Sequence, residues 1–210
     1  MRRTKLTISL CMIALNEEEF IGRALKNVKP YVDEIVVVDG GSKDRTVKIA
    51  ERHGAKVIHA PWRHHFARQR NIGLRHATGD WILQMDPDES YTKPFLKNLR
   101  QWVSNTSGID AFAFVEKHYI DGKLSTTTKQ VKLFKRSPDI RFRSEVHEKP
   151  FGFKMLAVPS RAYIQHWKTS ARQRRQSEYY MRFVEHRHRV KEGRAAKGHG
   201  ALKSRGDKIP

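Results

Sequence analysis

With a single cysteine, Cys11, among 210 residues, the chain has no means of building an intramolecular disulfide framework, and it is compatible with a reducing compartment. Set inside an apolar run, Cys11 reads as a small core residue, not a nucleophile. No stretch is long and apolar enough to span a bilayer. The amino terminus imitates a secretion signal, Arg2-Arg3 preceding a mostly apolar run from Leu6 to Leu15. Asn16 and three glutamates then stand where a small-residue cleavage site would be needed. A buried first strand accounts for the same residues better. There is no internal repeat. The absence of a Gly-x-x-x-x-Gly-Lys-Ser/Thr loop, and of Gly-x-Gly-x-x-Gly after the first strand, argues against P-loop and dinucleotide chemistry. Negative charge is scarce as well: 22 Asp and Glu face 42 Lys and Arg, for a net charge of +20. Half of that excess lies in residues 161–210, where 14 Lys and Arg stand against 4 Asp and Glu. Such a balance favours anionic partners (nucleotides, phospholipid headgroups, phosphorylated glycans, nucleic acid) without choosing among them.

What is present reads as alternating strands and helices. Thr7 to Leu15 is an expected strand. Asn16 has the chemistry of a helix N-cap, with Glu17, Glu18 and Glu19 in the first turn. Phe20, Ile21, Ala24, Leu25 and Val28 continue at helical spacing until Pro30. Glu34 to Asp39 is a uniformly apolar, β-branched strand of the kind covered on both faces. Asp44 to His53 is a helix closed by Gly54, and Ala55 to His59 a third strand. This βαβαβ order with short connections implies a parallel sheet. A polar-aromatic loop from Pro61 leads into an arginine-rich helix, Phe66 to Ala77. Trp81 to Met85 is a short buried strand, and a helix begins at Thr92-Lys93-Pro94 with Phe95, Leu96, Leu99 and Trp102 on its apolar face. From Ala111 the pattern changes to a hairpin, Ala111 to Tyr119 and Ser125 to Lys135, around Asp121-Gly122. Ile140 to Pro159 is loop and short strand, and Tyr163 to Trp167 a last strand. The expected organisation is one domain over 1–167, a basic amphipathic helix over 168–192 and a disordered basic tail over 193–210.

Three acidic features follow strands of this sheet: Asn16-Glu17-Glu18, Asp39-Gly40-Gly41-Ser42 and Asp86-Pro87-Asp88-Glu89. Each alone is an ordinary turn. Together they fall at the carboxyl ends of the strands, where open α/β sheets bind ligands. Asp39 could accept from a base imino group or a ribose hydroxyl, and Asp86 could take the ribose. Asp88 could hold a hard divalent cation on a diphosphate. Gly40 and Gly41 would let backbone pass close to the ligand.

These stretches, with Ala67-Arg68-Gln69-Arg70-Asn71-Ile72-Gly73, resemble the family 2 glycosyltransferases in order and spacing over roughly residues 5 to 100. The fold class implied is α/β: the GT-A (Rossmann-like) fold, a mainly parallel sheet flanked by helices with a mixed or antiparallel second half. Residues 1–100 would form the nucleotide-sugar-binding half and 101–167 the acceptor half. The resemblance implies an inverting, metal-dependent transferase that uses a UDP-linked sugar and a Mg or Mn divalent cation. Nucleotide-sugar roles would then fall to Leu15, Asn16, Glu18, Asp39, Gly40, Arg68 and Asp86, and the metal to Asp88.

Arg143-Ser144-Glu145-Val146-His147-Glu148-Lys149-Pro150 looks like the His-Glu segment of members that build lipopolysaccharide core or related glycans. Many members carry an Asp or a Glu-Asp pair here instead. An inverting transfer needs a carboxylate to take the acceptor proton. Glu148 is the first candidate and Glu145 the second. His147 or His166 could complete the metal shell. Lys132, Lys135, Arg141 and Arg143 are candidates to face the phosphates.

The acceptor implied is a glycan or glycolipid, in a cytoplasmic protein that touches the inner face of an anionic membrane peripherally; no obligate protein partner is expected. Two other classes carry weaker signals. A nucleic-acid-binding protein, or a transferase acting on nucleic acid, fits the charge. A nucleotidyltransferase would share half the fold, but it would need a Gly-rich loop where Ala14-Leu15-Asn16-Glu17 stands.

Overall fold

The computed structural model describes residues 6–159, 162–179 and 181. Residue contacts divide the chain into two compact units, 1–167 and 168–210. In the first, the order is β1 (Ile8–Ala14), α1 (Ile21–Val28), a 3-10 turn (Lys29–Tyr31), β2 (Glu34–Asp39), α2 (Thr46–Arg52), β3 (Lys56–His59), α3 (Phe66–His76), β4 (Trp81–Gln84), β5 (Glu89–Tyr91), α4 (Lys93–Ser104), β6 (Ala111–Ile120), β7 (Lys123–Lys135), β8 (Arg141–Arg143), β9 (Lys149–Phe151), β10 (Leu156–Ala157) and β11 (Tyr163–Lys168). The main sheet runs β3-β2-β1-β4-β7-β6-β11-β5, with β10 added beside β6, and β8 and β9 form a separate pair. β3, β2, β1 and β4 are parallel, while β7 runs antiparallel to both β4 and β6. The structure thus has the α/β mixed sheet that the sequence implied.

The register places the site. Ala14 pairs with Asp39, and Asp39 with His59, so β1, β2 and β3 end at one edge. Cys11 pairs with Gln84, and the amide of Met85 donates to the carbonyl of Cys11, which brings the Asp86 turn to that same edge. The opposite ends are tied by polar contacts. Asp80 accepts from the backbone and hydroxyl of Thr7 at 2.8 Å each, and Gly79 donates to Ser9 Oγ at 2.8 Å. A Cβ at Gly79 would lie 2.6 Å from Ser9 Oγ and 2.7 Å from Ser9 N, so only glycine fits there.

One side of the sheet is covered by α1 and α4. Ile21, Ala24, Leu25 and Val28 recur at i, i+3, i+4 and i+7 and are all buried. Phe95 stacks on Tyr91 at 4.3 Å and touches Phe114 at 4.4 Å, and Trp81, Phe95 and Phe114 are among the largest fully buried side chains. Burying each such side chain is worth roughly 1.5–3 kcal/mol. On the other side α3 lies against β1 and β2, and β8 joins it: Asn71 donates to the carbonyl of Phe142 and accepts from its amide.

Two expectations need correcting. Asn16 is not the cap of α1. It sits at φ 55, its side chain accepts from the amide of Lys43, and the helix starts only at Ile21, with no acidic residue in its first turn. The loop after β1 is used to bind the loop after β2, which delays the helix. Second, Glu89, expected in the acidic turn with Asp86 and Asp88, opens β5 and is 1% exposed. The hairpin loop is two residues long. Asp121 and Gly122 both have positive φ, 48 and 78, the backbone that matches strand twist in such turns.

In the second unit, residues 170–179 are helical, and the amide of Arg172 donates to Thr169 Oγ1 at 3.2 Å. The remainder of the expected basic helix to residue 192 and the tail over 193–210 lie outside the described residues. Among the described residues no helix is long and apolar enough to cross a membrane.

Candidate active site

The loop after β2 is built around Asp39, which is 2% exposed. Its carboxylate accepts from the amides of Gly41 and Ser42 at 3.0 to 3.2 Å and lies 3.6 Å from His59 Nδ1. Gly41 holds φ 101, so the conformational demand falls there; a Cβ on Gly40 would make only ordinary contacts with Leu15 and Trp62 at 3.4 Å. Asn16 donates through its backbone N–H to Ser42 Oγ, and Glu18 accepts from the backbone and side chain of Arg45 at 3.0 Å. Arg45 is the main cause that holds the Glu18 carboxyl below its ordinary value. Leu15 is 38% exposed at the mouth of this double loop. Leu15, Asn16, Glu18, Asp39 and Gly40 are therefore brought together.

The Asp86 turn is held from four directions. Glu89 closes it, donating its amide to the carbonyl of Asp86 and accepting from the amide of Asp86. The Tyr91 hydroxyl donates to the carbonyl of Gln84. Asn27 clamps the backbone of Tyr91, and the amide of Trp167 donates to the carbonyl of Asp88.

From this turn a run of alternating charges crosses the site. Arg70 on α3, 8% exposed, forks onto Asp86 with bonds of 2.9 and 3.2 Å and reaches Glu148 with its Nε at 2.5 Å. Lys132 on β7 bonds Glu89 at 2.5 Å and lies 3.8 Å from Asp86 and 3.9 Å from Glu116. His166 on β11 places Nε2 3.1 Å from Asp88 and Nδ1 3.5 Å from Glu116. Glu148, Arg70, Asp86, Lys132, Glu116, His166 and Asp88 are thus consecutive links of one chain.

The electrostatics follow from that alternation. Burial opposes ionisation of Asp86, but Arg70 and Lys132 overcome it and lower its pKa to about 2. Burial opposes the charges of Arg70 and Lys132 too, and their carboxylate neighbours raise both above their ordinary values. Burial dominates at Glu89 and pushes it up, with Lys132 opposing. At Glu116 burial loses to Lys132 and the two histidines, and the carboxyl is pulled well down. At His166 burial is outweighed by Asp88 and Glu116, which raise its pKa to about 10.

Glu148, Asp86 and Asp88 join this chain. Arg68 does not: it is exposed, whereas Arg70 two residues on is buried and carries the contacts. The spacing Ala67, Arg70, Gly73 marks the buried face of α3 and would have pointed to Arg70. His147 lies in the β8–β9 loop at φ 54. The imidazole that meets Asp88 is His166. Glu89 stood in the sequence as the last residue of the acidic turn, and Glu116 carried no motif of its own. Of the basic candidates, Lys132 is 4% exposed inside the carboxylates, Lys135 pairs with Asp110 at 3.2 Å, and Arg141 and Arg143 are exposed on β8.

The residues fit a divalent cation. His166 is 13% exposed on its side chain, and both its ring nitrogens are buried without a well-aligned hydrogen bond. A carboxylate and an imidazole facing each other at 3.1 Å are a suitable donor pair for such an ion.

A family model described as Glycosyl transferase family 2 matches residues 9–167. A TPR repeat-containing protein of Synechococcus elongatus is 39% identical over 141 residues, covering 67% of this chain and 34% of that protein. An uncharacterized glycosyltransferase of Rickettsia felis is 45% identical over 86 residues, covering 41% of this chain and 30% of its own. The SPbeta prophage-derived glycosyltransferase SunS of Bacillus subtilis is 28% identical over 152 residues, covering 70% and 35%. The chain spans about a third of the length of these curated relatives. Among solved structures, residues 1-349 of S. aureus TarS in complex with UDP-GlcNAc share the fold, with a TM-score of 0.62 at 20% identity over 79% of this chain and 59% of that one.

Proposed function

This chain belongs to glycosyl transferase family 2, and from that premise we propose that it transfers a sugar, with inversion, from a UDP-linked donor to a hydroxyl of a glycan or glycolipid. The observation that carries the reading is the convergence of Asp39, Asp86, Asp88 and Glu148 on one edge of the sheet, the last three within a single ionic chain. In this reading the double loop of Asn16, Glu18, Asp39 and Gly40 takes the nucleoside, with Leu15 at its mouth and Arg68 outside it.

Asp88 and His166 would hold a divalent cation, Mg or Mn, with His147 the alternative imidazole. When bound, that ion supplies positive charge to the leaving diphosphate. Arg70 fixes Asp86 in place and, through its Nε, aims Glu148. The Glu148 carboxylate takes the proton of the acceptor hydroxyl as that oxygen bonds to the anomeric carbon, and the bond from that carbon to the diphosphate oxygen breaks. The resemblance of the His-Glu segment to lipopolysaccharide-core enzymes supports a glycolipid acceptor, and the basic residues after Trp167 suit a peripheral position on the cytoplasmic face of an anionic membrane.

The test is to incubate the full chain with nucleotide-sugars, Mn²⁺ and candidate acceptors, following nucleoside diphosphate release. Glu148→Gln should keep donor binding and lose transfer. An active Glu148→Gln enzyme would remove Glu148 as the base, and failure of every nucleotide-sugar to bind would remove the reading.

A further inference from the structure

An imidazole that gives one nitrogen to a cation keeps its hydrogen on the other, and whatever accepts that hydrogen fixes both tautomer and ring plane. In this protein the two nitrogens of His166 face different carboxylates. Nε2 faces Asp88, on the turn that carries the acidic motif, and Nδ1 faces Glu116, on β6. Glu116 is itself immobilised from several sides. It is 3% exposed, it accepts from Thr128 Oγ1 at 3.3 Å, and it lies 3.4 Å from His118 Nε2 and 3.9 Å from Lys132 Nζ.

A rival placement exists. Glu116, His118 and His166 offer ligand atoms within 4.8 Å of one another, so a cation could sit among those three. Two contacts count against it. His118 Nε2 is already engaged by Thr128 Oγ1 at 2.9 Å, and the ammonium of Lys132 already supplies Glu116 with positive charge.

We propose that Glu116 is a positioning residue: it receives the Nδ1 hydrogen of His166 and so presents Nε2 to a divalent cation shared with Asp88. Lys132, Thr128 and His118 serve this role by holding Glu116 still. The inference rests on the cation reading above and adds a residue that no sequence motif marks. It also separates the two histidines of the cluster: His166 touches the ion, and His118 supports the carboxylate behind it.

The experiment is a Mn²⁺ titration of the full chain by electron paramagnetic resonance, without donor or acceptor. Glu116→Gln should raise the Kd by about 10- to 100-fold, the range for removing an outer partner of a ligating histidine. Asp88→Ala and His166→Ala should abolish specific binding, and His118→Ala should change Kd by only about threefold or less. Should Glu116→Gln fail to fold, as judged by its melting curve, Glu116→Asp keeps the charge but withdraws it from Nδ1, and it should weaken binding measurably. Wild-type Mn²⁺ affinity in both Glu116 variants would overturn the proposal while leaving the cation reading standing. Loss of binding in His118→Ala equal to that in His166→Ala would place the ion in the rival cluster and overturn it as well. A wild-type chain that binds no Mn²⁺ would sink the cation reading itself, and this inference with it.

Discussion

Replacing Lys132 with methionine removes one cation from the middle of three carboxylates. The Lys132 side chain is 5% exposed and those of Glu89 and Glu116 are 1% and 4% exposed, so no water can take over the lost contact. Breaking a buried ion pair from one side typically costs about 3–5 kcal/mol, because the partner is left charged in a poor solvent. For a chain of this size each kcal/mol lowers Tm by roughly 2–4 °C, so the variant should melt roughly 6–20 °C below the wild type. The deficit must depend on pH. Glu89 already titrates above its ordinary value because of burial, with Lys132 opposing that shift. Without Lys132 it rises further, and a carboxyl whose folded pKa exceeds its unfolded one stabilises the fold at low pH and loses that contribution as pH rises. The gap should therefore widen from pH 5 to pH 8. Glu89→Gln combined with Lys132→Met should recover more than half of the loss, since the uncompensated charge is gone. Urea unfolding of the wild type, Lys132→Met and the double variant at both pH values measures this. A single variant within about 1 kcal/mol of the wild type, or a deficit identical at both pH values, would refute the reasoning.

Asp88→Asn should cut turnover by about 10²-fold or more, the range for losing a key electrostatic stabiliser, as read by diphosphate release at saturating donor. His166 has its pKa raised to about 10 against an ordinary 6.5. In EDTA its contribution to stability should be complete below pH 6.5 and disappear as pH rises through 10, and His166→Gln should lack that slope in urea titrations. Gly79→Ala, which forces a Cβ against the backbone and hydroxyl of Ser9, should destabilise by about 1–3 kcal/mol in thermal melts.

The parallel half of the sheet was legible because its strands are short apolar runs stopped by acidic or glycine-bearing turns, and Glu34–Asp39 has in the structure the bounds its pattern implied. Asp39, Asp86 and Asp88 were visible for the same reason: carboxylates directly after buried strands have one edge to occupy. What sequence could not show was pairing across the fold. Arg70 looks like its neighbour Arg68 until the face of α3 is known, and Glu116 and Lys132 sit in a hairpin whose alternation reads as solvent-facing. Their burial depends on β11 returning beside β6, with β5 paired on its far side, from distant parts of the chain. Asn16 misled because a side chain suited to a helix start was spent on the neighbouring loop.

The most direct test of the central claim is the anomalous signal of Mn²⁺ in crystals of the full chain grown with UDP. The account predicts one peak between Asp88 and His166, with the nucleoside against Asp39. A peak elsewhere, or a nucleotide bound away from that carboxylate edge, would contradict it.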